Sequence, residues 1–259
     1  MLLLFTKLRG HRLHATDGGI GSVTDVYFDD ATWDVRYLVV DVGTWLVGRK
    51  VLLVPKVLGS PLGEKESILV NLSKEQIRHS PDIDTDNPVS RQHEAALYSH
   101  YGWSTYWGED ALMSTGQTAG FSPGVVSAGI PHETSVTGKI EVEVPGQERD
   151  PHLRSAGELD GYHIHAEDGE IGSVADLVVD EAEWRVRYLV VKPGGWFSGD
   201  RVLIPPAWIR KISWEESSVH VDVNRKTIAD SPPYDSSRPL TREYEERLYR
   251  HYSRTRYWT

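Results

Sequence analysis

The sequence contains no cysteine, no apolar run long enough to span a membrane and no excess of positive charge. Without cysteine there is no disulfide, thiolate nucleophile or zinc-thiolate site, which fits a reducing cytoplasm. The formal net charge of the 259 residues is −10, so the chain lacks the positive field that non-specific nucleic-acid binding uses. We therefore expect a cytoplasmic protein for which a nucleic-acid partner is disfavoured.

The apolar residues at the N-terminus, Met1 to Phe5, are followed at once by the polar residues Thr6 and Lys7. Five residues are too few for a signal-peptide core or a membrane span. We expect no direct insertion into a membrane.

The second half of the chain repeats the first half at an offset of 151 residues. The segment 18–23 (GGIGSV) falls on 169–174 (GEIGSV), and 33–40 falls on 184–191. Roughly 40% of aligned positions from Leu2 to Trp107 are identical, far above chance for a sequence shifted along itself. This pattern predicts a duplicated domain.

Each copy has the pattern of short strands separated by turns that contain Gly and Asp. About 75 residues form five or six short antiparallel strands. A sheet of this size removes its exposed edge strands by closing into a small barrel. The strand 35–42 is apolar on both faces near its end and should be central. The sequence thus predicts an all-β fold with two small barrels in tandem. The strands predicted for the first copy are 12–15, 20–28, 35–42, 50–54 and 68–72.

Short helices should follow the last strand of each barrel. Ser73 to Gln76 has the form of a capping box, and Asn224 offers an N-cap at the equivalent place. Farther on, 91–101 and 239–252 carry Leu and Tyr at helical spacing. Each barrel is therefore expected to carry a C-terminal helical tail that ends in aromatic residues.

The repeat divides the chain into a first copy over 1–107, a linker over 108–150 and a second copy over 151–259. The linker carries seven acidic and two basic residues, so half of the net charge lies there. Its alternating segment 139–144 (KIEVEV) either adds an edge strand to one of the barrels or remains extended linker.

Three motifs shared by both copies resemble the PRC-barrel family: Gly-x-Ile-Gly-Ser-Val-x-Asp, Trp-x-Val-Arg-Tyr-Leu-Val-Val and Val-Leu-(Leu/Ile)-x-Pro. The fold occurs in the cytoplasmic part of the photosynthetic reaction centre H subunit and in the C-terminal domain of the ribosome maturation factor RimM. The resemblance covers about residues 8–80 and 159–231. It implies a module that docks onto larger assemblies and has no catalytic motif. The chain lacks the membrane helix of the first relative and the separate N-terminal barrel of the second, so neither specialised role transfers.

Histidines and paired acids are the candidates for chemistry. His163 and His165 project from one face of a predicted strand, as zinc or nickel ligands can, but the pair His11 and His14 has a different spacing. Asp25 and Asp29, matched by Asp176 and Asp180, are about 13 Å apart along a strand, too far for a carboxylate dyad. We expect structural histidines, turn-capping acids, and no catalytic residue, cofactor or metal site.

Aromatic residues are the best candidates for an interaction surface, because they bury large areas at low entropic cost. Alternatively, the tails fold back and cover the ends of the barrels. The candidates are Trp45 and Trp196 in the loops after the central strands, Trp103, Tyr106 and Trp107 in the first tail, and Tyr252, Tyr257 and Trp258 in the second.

The second tail interleaves arginine with tyrosine, a mixture that binds RNA. Its acidic residues Glu243, Glu245 and Glu246 favour ion pairs along a helix instead. The arginines are Arg238, Arg242, Arg247, Arg250, Arg254 and Arg256.

Together these features predict a non-enzymatic protein-interaction or scaffold protein. Its two barrels either pack as an intrachain pseudo-dimer or hold two partner sites, and a homo-oligomer is a further prediction. The alternatives are a ribosome or RNA-assembly factor acting through the basic C-terminal tail, and a metal-binding protein that uses the strand histidines.

Overall fold

The computed structural model describes residues 1–43, 48–59, 67–81, 83, 89, 91–103, 152–194 and 200–258. Within these ranges the chain is mostly strand, with a few short helices, and it forms two small barrels. The expected all-β class is therefore confirmed. None of the helices in these ranges is long and apolar enough to cross a membrane.

The first copy contains six strands and three α-helices among its described residues. They are β1 (Leu2–Leu4), α1 (Phe5–Leu8), β2 (Arg12–Ala15), β3 (Gly18–Asp29), β4 (Val35–Asp41), β5 (Lys50–Leu53), β6 (Ser67–Leu69), α2 (Lys74–Arg78) and α3 (Arg91–Tyr101).

The second copy contributes seven strands and two α-helices among its described residues. They are β7 (Leu153–Ser155), β8 (His163–Ala166), β9 (Gly169–Asp180), β10 (Arg185–Pro193), β11 (Val202–Ile204), β12 (Ile209–Ser213), β13 (Ser218–Val221), α4 (Arg225–Ala229) and α5 (Arg242–His251).

Each copy builds its sheet in the same order. The first sheet runs β5-β4-β3-β2-β6, and the second runs β11-β10-β9-β8-β13-β12. Neighbouring strands are antiparallel except for β2 with β6 and β8 with β13, which are parallel. The parallel pairs join strands that are distant in sequence, because a parallel neighbour needs a crossover connection rather than a hairpin.

A glycine at a bulge bends the long strand of each copy. The register shifts between Leu13 and His14 so that Ile20 is an extra residue in β3. A Cβ on Gly21, whose φ is +141°, would lie 1.9 Å from the Asp41 carbonyl oxygen. A Cβ on Gly172 would lie 2.1 Å from the Lys192 carbonyl oxygen. Only glycine fits these two positions, where the long strand bends before it reaches the other copy.

The copies exchange their first strands. β1 of the first copy pairs with β9 of the second, with Leu2 opposite Asp180 and Leu4 opposite Val178. Reciprocally, β7 of the second copy pairs with β3 of the first, with Ser155 opposite Tyr27. The sequence did not predict either strand, because three residues are too few to show an alternating pattern.

The predicted helix starts are largely confirmed. Ser73 and Gln76 form the complete capping box before α2, and the Asn224 side chain accepts a hydrogen bond from the Thr227 amide at 2.8 Å before α4. In the second tail the helix starts at residue 242, three residues after Pro239, as the first tail helix starts three residues after position 88. The side chain of Thr241 caps the second tail helix by accepting a hydrogen bond from the Tyr244 amide at 3.3 Å.

The apolar core is continuous through both copies. Both faces of β4 and β10 are buried, including Tyr37, Leu38, Tyr188 and Leu189 at 0% exposure. These strands are central, as their two-sided apolar pattern predicts. A shared core means that the surfaces at the junction of the copies are held in a fixed arrangement.

Candidate functional site

The two copies meet at a point where equivalent residues face each other. Val35 donates its amide to the Trp184 carbonyl at 2.7 Å, and Val186 donates its amide to the Trp33 carbonyl at 2.8 Å. Each contact becomes the other when every residue is replaced by its equivalent in the other copy, 151 positions away. The junction therefore has a pseudo-twofold axis. Trp33 and Trp184 both adopt positive φ, 65° and 49°, a conformation that bulky residues hold only when their surroundings enforce it.

The residues on the axis carry opposite charges although they occupy equivalent positions. Asp34 of the first copy lies 2.6 Å from the Arg185 guanidinium of the second. In an assembly of two identical copies, the same positions would bring two aspartates or two arginines together. The pairing of unlike copies is therefore favoured by charge.

Each exchanged strand is anchored by an aspartate of the other copy. Asp25 accepts hydrogen bonds from the Ser155 hydroxyl at 2.6 Å and the Gly157 amide at 3.2 Å. Its equivalent, Asp176, accepts hydrogen bonds from the hydroxyl and the amide of Thr6. Burial raises the pKa of Asp176, and the hydrogen bonds from Thr6 and the Leu177 amide offset this only in part.

The four acids predicted to cap turns thus divide into two kinds. Asp29 accepts hydrogen bonds from the Ala31 and Thr32 amides, each at 3.0 Å, and Asp180 accepts one from the Ala182 amide at 3.0 Å. For Asp29, burial raises the pKa, but these amides and the Arg36 guanidinium outweigh burial and lower it. Asp25 and Asp176 do not cap turns: each accepts a hydrogen bond from the next amide of its own strand and from the exchanged segment of the other copy.

The first cleft, of about 590 Å³, lies on one side of the axis. The first copy contributes the turn 30–33, and the start of the second copy contributes His152. The remaining wall comes from the second copy: residues 185–187 of β10, 205–207, residues 209–212 of β12, Trp214, and the tail residues Tyr249 and Tyr257.

The second cleft, of about 480 Å³, occupies the equivalent place on the other side of the axis. The copies contribute the opposite parts in this cleft: the turn comes from the second copy, and the strand and the tail come from the first. The lining residues are 34–36, 54–56, Tyr98, Trp103 and 182–184. Each cleft therefore exists only when both copies are folded and paired.

The two clefts differ in charge. Four basic side chains, Arg185, Arg187, Arg210 and Lys211, line the first cleft, where the carboxylate is that of Asp30. In the second cleft, two basic residues face two acidic ones: Arg36 and Lys56 against Asp34 and Glu183. Arg185 and Arg187 are paired with Asp34 and Glu183. The exposed Arg210 and Lys211 are therefore the groups that suit the first cleft to acidic ligands.

The tail helices fold back on their own barrels through a buried pair that occurs in both copies. Tyr37 donates its hydroxyl to Glu94 at 2.7 Å, and Tyr188 donates its hydroxyl to Glu245 at 2.6 Å. Both carboxyl groups are at most 2% exposed. Burial and the neighbouring Tyr249 and Glu245 raise the pKa of Tyr188 well above its usual range, so the hydroxyl remains a donor.

The predicted aromatic surface is partly packed and partly at the clefts. Tyr252 is buried against Trp208, with ring centroids 4.3 Å apart. Trp103 stacks on Tyr101 at 4.2 Å and lines the second cleft. Tyr257 lines the first cleft with the Arg187 guanidinium 4.2 Å from its ring, and Trp258 packs under Arg242. Trp45, Trp196, Tyr106 and Trp107 lie outside the described residues.

Most of the tail arginines are paired with carboxylates of the second copy. Arg242 lies 3.0 Å from Glu245, Arg254 lies 3.0 Å from Asp222, and Arg238 lies 3.1 Å from Asp235. Arg256 lies 3.9 Å from Glu246. Arg247 lies over the ring of Tyr244 at 5.7 Å. Glu245 and Glu246 thus form ion pairs, as predicted for the acidic residues of this tail, whereas the aspartate partners were not predicted.

The strand histidines do not converge. His163 lies 2.8 Å from Glu170, and His165 stacks on His220 with ring centroids 5.0 Å apart. Within the described ranges, no three histidine, aspartate or glutamate side chains are grouped so that they could hold a metal ion.

The cleft residues on the turns and on β12 were not predicted from the sequence. Asp34 and Arg185 stand at equivalent positions with opposite charge, and that contrast within an otherwise matching segment was the available signal. It has meaning only once the copies are known to meet at this point.

Comparison with known proteins gives one family and one curated relative. A family model described as PRC-barrel domain matches residues 5–77 and again residues 152–228, together more than half of the chain. An uncharacterized protein of Deinococcus radiodurans is 32% identical over 75 residues, which are 29% of this chain and 26% of that protein. The match thus spans about a quarter of that relative. The family segments contain β2 to β6 and β7 to β13 and end before the tail helices.

Proposed function

Because the chain belongs to the PRC-barrel family, we propose that it is a non-enzymatic protein-interaction or scaffold protein whose partners dock in the two clefts. The observation that carries this proposal is that each cleft is built from both copies. A partner in such a cleft would recognise the assembled pair of barrels rather than either barrel alone.

The composition of the clefts supports docking of a macromolecule. Tryptophan, tyrosine and arginine, which line both clefts or their rims, are the residues that dominate binding energy at protein interfaces. The groups with raised pKa values, such as Tyr188 and Asp176, are buried and hydrogen-bonded within the fold. Their perturbation is explained by structure, and no chemistry is needed to account for it.

An RNA-assembly role through the second tail draws less support. Arg242 and Arg254 lie 3.0 Å from carboxylates, so phosphate binding there would have to displace those contacts. We also place the protein in the cytoplasm, since a chain without cysteine suits a reducing compartment.

The test is affinity capture from a lysate of the native host, followed by calorimetry with each purified partner. Lys211→Glu alters the first cleft and Lys56→Glu the second, while Lys226→Glu makes the same charge change at a side chain that is 82% exposed and lines neither cleft. We expect a cleft variant to lose the partner and the control to retain it. A partner bound equally by all three variants would contradict docking in the clefts.

A further inference from the structure

We infer that the first cleft binds an extended acidic peptide of a partner protein, which adds to the outer edge of β12 as a further strand. This inference deepens the proposed function and rests on it, because it names the class of partner for one of the two clefts.

The position of β12 makes strand addition possible. β12 ends the order of its sheet and, among the described strands, is hydrogen-bonded to β13 on one side. A strand at the end of a sheet presents backbone donors and acceptors to an incoming chain.

The first cleft runs along this edge. Four consecutive residues of β12, 209–212, line the cleft. The exposed pair Arg210 and Lys211 and the half-buried pair Ile209 and Ile212 both reach the cleft. Contact with all four places the cleft beside the backbone of β12, where an added strand would lie.

The side chains of β12 define the charge of the peptide. The register of β12 against β13 shifts between Ile209 and Lys211, so Arg210 is an extra residue at a bulge, and both basic side chains are exposed. The Arg210 side chain is 68% exposed, and its ion pair with Glu167 is long, at 3.9 Å, and also exposed. Such a pair holds its arginine weakly, so the guanidinium is available to a carboxylate of an incoming chain.

The rest of the cleft suits a peptide rather than a nucleic acid. Ile209, Ile212 and Trp214 supply apolar surface next to the basic groups. A peptide that alternates carboxylate and branched apolar side chains would present its carboxylates to the exposed basic residues and its apolar side chains to the half-buried isoleucines of β12. The net charge of −10 would repel a polyanion as long as a nucleic acid over the rest of the molecule.

The binding test uses a fluorescein-labelled peptide of alternating Glu and Val residues, measured by fluorescence anisotropy with the full chain at low salt. One control peptide has Lys in place of Glu. A second keeps every side chain and carries N-methyl groups on alternate backbone amides, which blocks hydrogen bonding to a strand edge without changing charge.

We expect the Glu-Val peptide to bind, and Arg210→Glu with Lys211→Glu to weaken it by about tenfold or more. The matched control, Arg238→Glu with Lys226→Glu, changes two exposed side chains outside the clefts and should leave binding unchanged. The Lys peptide and the N-methylated peptide should bind much more weakly. Equal binding of the N-methylated peptide would overturn strand addition.

Two results separate this inference from the proposed function. If no acidic peptide binds while a captured partner still depends on Lys56 or another cleft residue, the inference fails and the proposed function stands. If Glu141→Gln with Glu143→Gln tightens peptide binding, the acidic segment 139–144 of the chain itself competes for the cleft, which overturns a partner in trans. We expect that variant to bind as the unaltered chain does.

Discussion

The first and second clefts have the same backbone frame and different chemistry. The frame is kept in both copies: the bulge glycines Gly21 and Gly172, the Tyr–Glu pairs of the tails, and the anchoring aspartates of the exchanged strands. Several positions that line the clefts differ, as with Thr32 against Glu183 and Lys56 against Ala207, although the tryptophans of the turns are identical. Residues that hold the fold are thus shared, while charged residues that line the clefts have diverged.

The comparison also shows how the two clefts depend on each other. Each cleft takes its turn from one copy and its strand and tail from the other, so a defect in either barrel removes both clefts. A change confined to one lining residue should alter one cleft alone.

The largest effect is expected from Gly21→Ala. The new Cβ would lie 1.9 Å from the Asp41 carbonyl oxygen, at a φ of +141° that L side chains rarely adopt. We expect a loss in the free energy of unfolding on the order of 3 kcal/mol or more, and loss of both clefts together. Chemical denaturation and partner binding measure the two effects.

Gly19→Ala is the matched control for that change. Its Cβ would lie 3.8 Å from the nearest atom, Cε1 of His14, which is an ordinary contact. The free energy of unfolding should change by less than about 1 kcal/mol. If Gly19→Ala and Gly21→Ala were equally damaging, the close approach at the bulge would not be the cause.

A smaller effect is expected from Asp34→Arg, which places two arginines on the pseudo-twofold axis. Asp34 and Arg185 side chains are 28% and 41% exposed, so water screens part of the repulsion. We expect a loss of about 1 to 2 kcal/mol in the free energy of unfolding. The double variant with Arg185→Asp restores opposite charges and should recover most of the loss. Failure of that rescue would contradict a role for charge in pairing the copies.

Much of the fold could be predicted because it depends on patterns within one copy. The strand 12–15, the central strand from residue 35, the capping box at Ser73 and the helix 91–101 all follow from alternation, turn residues and caps. The short strands Leu2–Leu4 and Leu153–Ser155 could not be predicted. Their place is set by a partner strand more than a hundred residues away.

The clefts were beyond sequence reasoning for the same reason. Exposed aromatic residues were the predicted surface, and Trp103 and Tyr257 do line the clefts. The basic residues Arg210 and Lys211 are unremarkable in the sequence, since two adjacent basic residues on a strand are common at a protein surface. They become a candidate site because β12 ends its sheet beside the turn of the other copy.

A change of one charge can give the first cleft part of the character of the second. Thr32→Glu introduces the residue type that the second copy has at position 183. We expect binding of the Glu-Val peptide to weaken by about three- to tenfold, with a smaller difference at high salt. Thr32→Gln has the same size without the charge and is the control. Equal weakening by Glu and Gln would assign the effect to shape.

The smallest effect concerns Asp176, the anchor of the strand exchanged from the first copy. In the unaltered protein, Oδ1 of Asp176 accepts hydrogen bonds from the Thr6 and Leu177 amides at 3.1 and 2.8 Å. In Asp176→Asn, the amide oxygen can still accept both of these bonds. The new NH₂ group can donate to the Thr6 hydroxyl. The substitution therefore keeps the hydrogen bonds and removes the buried charge.

The raised pKa of Asp176 fixes the sign of the pH dependence. The stability that the carboxyl contributes is fully present below the pKa of the unfolded chain, about 3.9, and is lost as pH rises through the higher pKa of the folded protein. Because asparagine does not titrate, the Asp176→Asn variant does not lose stability in this way as pH rises. Its free energy of unfolding relative to the unaltered chain should therefore rise between about pH 4 and pH 7, as followed by urea denaturation. A difference that shrank as pH rose would mean that the ionised carboxylate stabilises the exchanged strand, because its hydrogen bonds from Thr6 would then outweigh burial.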